Sequence, residues 1–269
     1  MKALELELLE VPVRLVVAEE ELARRLALCY ARSPRARAAG AVLEARVERR
    51  EGAHLVAVAG RAPLELAGPA EALRALNHEL LQALMARRRE HYYVHAAVLE
   101  HGGRALVLPG LSRAGKSTLA LALVLAGARF LSDELLCLAR DGRALPVPRA
   151  LKLRDECVPY FPELAGACVG EGEGRFVPFE ALAADVVGVP APIGTIAVPH
   201  YAPAGDDRPR AIARGEALLV LASSSLNFGA HRATSLDWLT ALVAEARTGA
   251  LDWREPRTAA AALLAEHAR

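Results

Sequence analysis

The chain has 269 residues, of which 53% are hydrophobic and 24% are charged, and its formal net charge is +1. These values are typical of a folded globular protein with one large domain, or with a core domain and a smaller one. The near-neutral charge gives no reason to expect a nucleic-acid partner or an acidic membrane surface. The four cysteines are too sparse for a disulfide framework, and no apolar stretch approaches the ~18 residues of a spanning helix, so we expect a cytoplasmic location.

Residues 1–90 are predicted to form a small α+β region. Alternating apolar and polar residues indicate strands, and apolar residues at helical spacing indicate two helices. The region contains no catalytic motif, so its expected role is substrate recognition. The predicted elements are strands at Ala3–Leu9 and Val13–Val17, a helix at Glu19–Tyr30, a hairpin of Ala41–Val47 with Leu55–Ala59, and a helix from Pro69 to about Arg88.

Residues 91–269 are predicted to form the larger domain, and all candidate site residues of the chain lie in it. The elements are strands at Tyr92–Glu100 and Arg104–Leu108 joined by His101-Gly102-Gly103, a helix at Lys116–Ala126, strands at Ala128–Leu131 and Ile193–Val198, an ordered segment at Leu135–Leu138, helices at Glu216–Leu226 and Thr234–Ala246, a short strand at Leu251–Arg254, and a terminal helix from Pro256. A glycine cluster at Gly166–Gly174 fits either a surface loop or a mobile lid over phosphates.

The strongest motif is Gly110-Leu111-Ser112-Arg113-Ala114-Gly115-Lys116-Ser117, which matches the pattern G-x-x-x-x-G-K-S/T in full. It lies between an apolar strand and a helix, as a phosphate-binding loop requires, and Thr118 extends it into the helix. The glycines let backbone N–H groups surround phosphate oxygens at a helix N-terminus. Lys116 would contact the phosphates and Ser117 would bind magnesium, so the motif predicts ATP and Mg²⁺ as ligands. The alternative is a glycine-rich turn that binds nothing.

Two adjacent acids, Asp133 and Glu134, follow the next predicted strand. Strand ends of this kind meet at the ligand-binding edge of an α/β sheet, so the carboxylates can lie beside the loop. One would hold magnesium and the other would accept a proton from an attacking hydroxyl. The alternative is that Asp133 caps a turn or a helix.

Three further residues are candidates on weaker grounds. His95 precedes the hairpin, and a histidine near the acids could tune the pKa of a carboxylate, although it could also be structural. Lys152 is one of only three lysines among 33 basic residues, which suggests a place where a guanidinium would not fit. Arg175 lies beside the glycine cluster. Lys152 and Arg175 are predicted to contact phosphate or the acceptor.

Together, His95, the loop and the acid pair resemble the C-terminal catalytic domain of HPr kinase/phosphorylase and its relatives, over about Tyr92 to Lys152. The resemblance implies an α/β fold with a phosphate-loop kinase core of the HPr kinase type and a small N-terminal α+β region. His95-Ala96-Ala97 and Leu131–Glu134 are most similar to the HPr kinase-related branch, some of whose members phosphorylate lasso-peptide precursors on serine. The family roles match His95 as the active-site histidine, Lys116 and Ser117 as phosphate and magnesium residues, and Asp133 and Glu134 as the paired acids.

The chain departs from the family at three places. Glu134 stands where the family has a second aspartate, and Arg113 replaces a loop glycine. The later signature that supplies a second metal ligand is absent, and Pro148–Arg154 occupies its place. We therefore expect a serine or similar hydroxyl of a peptide, carrier protein or small molecule as the phosphate acceptor, and not HPr. The rival hypotheses are an ATPase, a nucleotide-sensing regulator and a scaffold that binds nucleotide without turnover.

Overall fold

A computed structural model gives the structure of the chain and describes residues 2–36, 42–172, 175–231 and 234–269. The chain forms two compact units, each made of two segments. The first unit comprises Met1–Arg89 and Arg149–Ala181, and the second comprises Glu90–Pro148 and Leu182–Arg269. Within the described ranges, no helix has the length and apolar character needed to cross a membrane.

The strands are short to medium in length and occur in both units. In chain order they are β1 (Lys2–Leu8), β2 (Val11–Val17), β3 (Leu43–Arg50), β4 (Ala53–Val58), β5 (Leu64–Leu66), β6 (Tyr92–Val94), β7 (Ala96–His101), β8 (Arg104–Pro109), β9 (Arg129–Ser132), β10 (Leu136–Leu138), β11 (Arg143–Leu145), β12 (Leu151–Lys152), β13 (Phe176–Val177), β14 (Ala191–Tyr201), β15 (Arg210–Ala211) and β16 (Arg247–Trp253).

The α-helices also belong to both units, and short 3₁₀ turns occur between 155 and 181 and at Phe228–His231. In chain order the helices are α1 (Glu20–Cys29), α2 (Pro69–Arg87), α3 (Lys116–Leu125), α4 (Arg214–Ser223), α5 (Ser235–Glu245) and α6 (Pro256–His267).

In the first unit, β1 to β5 form a sheet in sequence order, with β2 and β3 parallel and the other pairs antiparallel. Alternate residues of β2 are buried because helices cover one face of the sheet, and α1 and α2 both pack on it. The segment 149–181 adds the two-stranded sheet of β12 and β13 to this unit.

In the second unit, β8, β14 and β16 are parallel neighbours, and β7 lies antiparallel between β8 and β9. The strands β6, β10 and β11 continue the same sheet, and β15 pairs with β16. Residues such as Val98, Val107 and Ile196 pack with Leu221 of α4 and Leu239 of α5 in one buried cluster. The carboxyl ends of β8, β14 and β16 therefore share one edge of the sheet.

Most predicted elements are present, with shifted ends. The predicted strand Tyr92–Glu100 is interrupted at His95, and the predicted strand Leu251–Arg254 begins four residues earlier, at Arg247. The short strands β5, β11, β12, β13 and β15 were not predicted. In the glycine cluster, Gly172 donates its N–H to Asp155 Oδ2 at 3.3 Å, and Val169 bridges to Phe176. Gly174 lies outside the described residues.

The division of the chain differs from the predicted one. The predicted catalytic domain was continuous from residue 91, but Arg149–Ala181 belongs to the first unit. The physical reason is visible in the backbone: Ala150 N–H donates to Cys29 O at 2.8 Å, which ties the segment to the end of α1. The role of residues 1–90 in substrate recognition stays a prediction.

Candidate functional site

The glycine-rich loop of the motif connects β8 to α3 in the second unit. Its backbone has a positive φ at three positions, with 144° at Gly110, 70° at Arg113 and 83° at Gly115. Such angles favour glycine, so Arg113 takes up a conformation that is uncommon for a residue with a side chain. Leu111, Ser112 and Arg113 are exposed at the tip of the loop, whereas Thr118 is buried in the first turn of α3.

Lys116 points back into the loop that precedes it. Its Nζ donates hydrogen bonds to the carbonyl oxygens of Gly110 at 2.9 Å and Leu111 at 2.7 Å, and only 6% of the residue is exposed. The first hydrogen bond of α3 runs from Leu119 N–H to Gly115 O, so the amide of Ser117 lies outside the helical ladder. An ammonium and helix N-terminal amides thus share one concave loop, which is an arrangement that attracts anions.

Gly115 is tightly packed against an aromatic residue that the sequence analysis did not select. A Cβ on Gly115 would lie 2.2 Å from Cζ2 of Trp253, the last residue of β16. No side chain fits at that distance, so the ring fixes the path of the loop before Lys116. The missed signal was the position of Trp253 at the end of a predicted strand, where residues of a parallel sheet reach the ligand-binding edge.

The strand register brings His95 close to the start of the loop. Ala96 of β7 pairs with Pro109 of β8, so His95 lies next to the position where Gly110 begins the loop. His95 occupies the break between β6 and β7, and its N–H donates to Ser224 O at 2.7 Å. The residue is half-buried.

The same register brings the acid pair to the other side of His95. Val94 pairs with Leu136, and Val98 pairs with Ser132, so residues 133–135 lie opposite residues 95–97. Neighbouring strands are about 5 Å apart, and the segment 95–97 is therefore bordered by the loop on one side and by the acids on the other. The structure brings these three predicted parts of the site to one edge of one sheet.

Asp133 is buried and Glu134 is half-buried. No helix begins at Asp133, and the turn that follows uses Ser132 Oγ to accept the N–H of Leu135 at 3.3 Å. The alternative in which Asp133 caps a helix therefore does not describe this segment. Asp133 and Glu134 follow β9 and precede β10 along the chain, and these two short strands hold the backbone of the acid pair in place.

A second pair of contacts lies at the same edge, at the ends of β14 and β16. His200 Nδ1 is 3.0 Å from Asp252 Oδ1, and the His200 side chain is largely exposed whereas that of Asp252 is half-exposed. The rings of Tyr201 and Trp253 meet edge to face with centroids 5.0 Å apart. None of these four residues was a predicted site residue. The sequence alone does not show that the ends of β14 and β16 are neighbours in the sheet.

Lys152 and Arg175, the two weaker candidates, belong to the first unit. Lys152 lies on β12, where it pairs with Phe176, and Arg175 directly precedes that residue. Arg175 Nε is 2.7 Å from Asp155 Oδ1. The two candidates are close to one another, and their predicted contact with phosphate or acceptor stays a prediction.

The described side chains do not by themselves supply a full set of ligands for a metal ion. Among the residues that the structure describes, no three His, Cys, Asp or Glu side chains are clustered so that they could hold one. Magnesium is commonly held by one or two protein ligands and by phosphate oxygens, with water completing the shell. The predicted role of Ser117 and Asp133 as magnesium ligands stays a prediction.

Comparisons with known proteins give similarity at the level of structure alone. No family model matches the chain, and no curated protein matches it. The chain is similar to the solved structure of the Hpr(Ser) kinase/phosphatase from Coxiella burnetii, with 12% sequence identity and a TM-score of 0.33. That match covers 65% of this chain and 96% of the other. The chain is a mixed α/β protein, and membership of the HPr kinase family stays a prediction.

Proposed function

We propose that this protein is an ATP-dependent kinase that transfers the γ-phosphate to a serine or similar hydroxyl of a peptide, carrier protein or small molecule. The observation that carries the proposal is Lys116, whose ammonium is held by the carbonyls of Gly110 and Leu111 inside the loop. Incoming phosphate oxygens would replace those carbonyls as partners of the ammonium. The full match of residues 110–117 to the phosphate-loop motif supports the same conclusion.

The remaining residues of the edge suit phosphoryl transfer. Ser117 and Asp133 would hold magnesium, which neutralises charge on the phosphates when it is bound. Glu134 would accept the proton of the attacking hydroxyl, because a half-buried carboxylate can reach solvent and substrate while its backbone is held. His95, between the loop and the acids, would position the carboxylate. Most of the catalysis would come from positioning and charge neutralisation.

The test is a transfer assay with γ-labelled ATP and magnesium. The acceptors would be seryl peptides encoded near the gene and, for comparison, HPr. We expect label on a hydroxyl of a peptide or small molecule, no label on HPr, and loss of transfer in Lys116→Ala. Lys2→Ala is the matched control, since Lys2 is an exposed lysine of β1 in the first unit.

The other outcomes separate the rival functions. Steady ATP hydrolysis without a labelled acceptor would favour an ATPase or a nucleotide-sensing regulator. Binding of ATP without any consumption would favour a scaffold. Labelling of HPr that inorganic phosphate reverses would overturn the expectation about the acceptor.

A further inference from the structure

The indole of Trp253 is a buried hydrogen-bond donor in the second unit. Only 2% of the residue is exposed. Among the residues that the structure describes, none accepts a hydrogen bond from its Nε1. An indole N–H can donate and cannot accept, and a buried donor without an acceptor costs free energy, so almost every buried N–H in a folded protein has a partner. The N–H of Trp253 therefore suits a place where a bound group supplies the acceptor.

The side of the indole that carries this N–H faces the glycine-rich loop. The atoms nearest to the position that a Cβ on Gly115 would take are three atoms of Trp253: Cζ2 at 2.2 Å, Cε2 at 2.9 Å and Nε1 at 3.2 Å. These atoms are bonded in sequence along one edge of the ring. The donor thus lies beside the residue that directly precedes Lys116 and the first turn of α3.

The strand end that carries Trp253 is held by the turn that lies against it. Trp253 O accepts the N–H of Ala202 at 2.8 Å. The buried carboxylate of Asp207 accepts two backbone N–H groups at its Oδ1, from Arg254 at 2.7 Å and from Glu255 at 3.0 Å. The backbone is therefore fixed at Trp253 itself and at the two residues that follow it, and the indole is presented to the loop by a braced strand end.

Donors of three kinds meet at this loop. The ammonium of Lys116 lies inside it, the N-terminal amides of α3 precede the first hydrogen bond of the helix, and the indole N–H of Trp253 borders it at Gly115. A deprotonated phosphate group offers acceptor oxygens alone, so it can accept from all three kinds of donor at once. The indole N–H carries no charge, and its contribution is to fix the position of one oxygen.

From these observations we propose that the N–H of Trp253 donates a hydrogen bond to a phosphate oxygen of the nucleotide, on a phosphate that is not transferred. The proposal rests on the proposed function, because it takes the loop as the phosphate site. Backbone N–H groups of a phosphate loop surround the α- and β-phosphates, and Trp253 borders that backbone at Gly115. Trp253 then binds substrate and product alike, so loss of its N–H raises the KM for ATP and leaves kcat nearly unchanged.

The first experiment observes the N–H itself by NMR. The chain has two tryptophans, and the second, Trp238, stacks on Tyr92 in α5. In a ¹⁵N-labelled full chain, the indole signal that persists in Trp238→Phe belongs to Trp253. We would titrate the chain with magnesium pyrophosphate and with ADP, and with sodium chloride at matched ionic strength. We expect both diphosphates, and not chloride, to move this signal downfield and to slow its exchange with deuterium.

The second experiment measures what the bond contributes to affinity. The amino acid β-(3-benzothienyl)alanine keeps the fused two-ring shape of tryptophan and has sulfur in place of the N–H, so it removes the donor and keeps the contact with Gly115. Incorporated in the Trp238→Phe chain, it enters at position 253 alone. We expect its affinity for pyrophosphate and ADP to fall about tenfold, the size expected for a hydrogen bond to a charged acceptor. Trp238→Phe, the matched control, should bind both ligands like the unaltered chain.

Two results would overturn the proposal. One is an indole signal of Trp253 that stays in place although calorimetry shows pyrophosphate binding that Lys116→Ala abolishes. The other is a benzothienylalanine chain that binds pyrophosphate as tightly as Trp238→Phe does. In both cases the phosphate site at the loop still stands. A failure of the proposed function looks different, because pyrophosphate and ADP would then not bind the unaltered chain at all, and that result would overturn both proposals.

Discussion

Two constraints coincide at Gly115. Its φ of 83° is unfavourable for a residue with a Cβ, and Cζ2 of Trp253 would lie 2.2 Å from that Cβ. We predict that Gly115→Ala lowers the free energy of unfolding by about 1–2 kcal/mol from backbone strain and by roughly a further 1–3 kcal/mol from overpacking, measured by urea denaturation. It should also weaken ATP binding, because the loop must shift.

Gly127 supplies the matched control for this substitution. Its φ is 100°, but no atom lies within 4 Å of the position that a Cβ would take. Gly127→Ala should therefore show the backbone strain without the overpacking. Equal losses of stability in the two variants would contradict the role of Trp253 in shaping the loop.

The acid pair has a testable division of roles. Glu134→Gln keeps the size of the side chain and removes the proton acceptor. We therefore predict that ATP still binds while the rate of phosphoryl transfer falls by about 10²–10⁴-fold, as is usual for the loss of a general base. Asp133→Asn should instead raise the magnesium concentration needed for half-maximal transfer. The measurements are kcat and the magnesium dependence of each variant. Wild-type turnover in Glu134→Gln would show that another group takes the proton.

At the scale of elements, His267 anchors the end of α6. Its Nδ1 lies 2.7 Å from Thr195 Oγ1 of β14, and its Nε2 lies 3.2 Å and 3.3 Å from the carbonyls of His101 and Arg104. The carbonyls require a proton on Nε2, so the neutral ring accepts from Thr195 at Nδ1. Burial lowers the pKa of His267 below its ordinary value of 6.5, although the two carbonyls act in the opposite direction.

This lowered pKa gives a stability change with a defined sign. Below about pH 6.5 the unfolded chain binds a proton at His267 that the folded chain does not, so the free energy of unfolding falls as the pH drops through that window. We predict a shallower fall between pH 7 and 5 in His267→Gln than in the parent, measured by chemical denaturation. His78→Gln, at an exposed position of α2, should keep the parent slope. If the free energy of unfolding of His267→Gln fell with pH as steeply as that of the parent, the pH dependence could not be assigned to His267.

The elements that were predicted correctly have strong local signals. The helix over Pro69–Arg87 begins with a proline and carries apolar residues at helical spacing, and the hairpin of β3 and β4 shows alternation around a glycine turn. The strands β12, β13 and β15 have two residues each, too few for any period to appear. The break at His95 was missed because the apolar residues run on through β6 and β7.

Only part of the candidate site could be predicted from the sequence, and the reason is related. The loop is one contiguous motif, and the acids follow it closely, so both could be found along the chain. Trp253 is far from Gly115 in sequence and reaches it only because β16 lies parallel to β14, which lies beside β8. The position of Lys152 and Arg175 in the first unit depends on the segment 149–181 belonging to that unit, which no local pattern indicates.

At the scale of the whole molecule, a ligand that binds only the native state stabilises it. We predict that ATP with magnesium at about 100 times its dissociation constant stabilises the chain by about 2.7 kcal/mol, which corresponds to a rise in melting temperature of roughly 5–10 °C. Lys116→Ala should lose this shift, while Lys2→Ala should keep it. Absence of a shift at millimolar ATP would remove the basis for a nucleotide site at the loop.

The two-segment first unit has a consequence for synthesis on the ribosome. The sheet of β1 to β5 is made first, but Arg149–Ala181, which belongs to the same unit, follows only after Glu90–Pro148. At typical translation rates this intervening stretch takes roughly 3–12 s to emerge, far longer than small domains need to collapse. The nascent first unit therefore stays incomplete until Arg149–Ala181 has been synthesised, and until then Cys29 O lacks its hydrogen bond from Ala150 N–H. A chain released early, for example by a stop codon after Arg89, would carry the complete sheet but lack Arg149, Lys152 and Arg175.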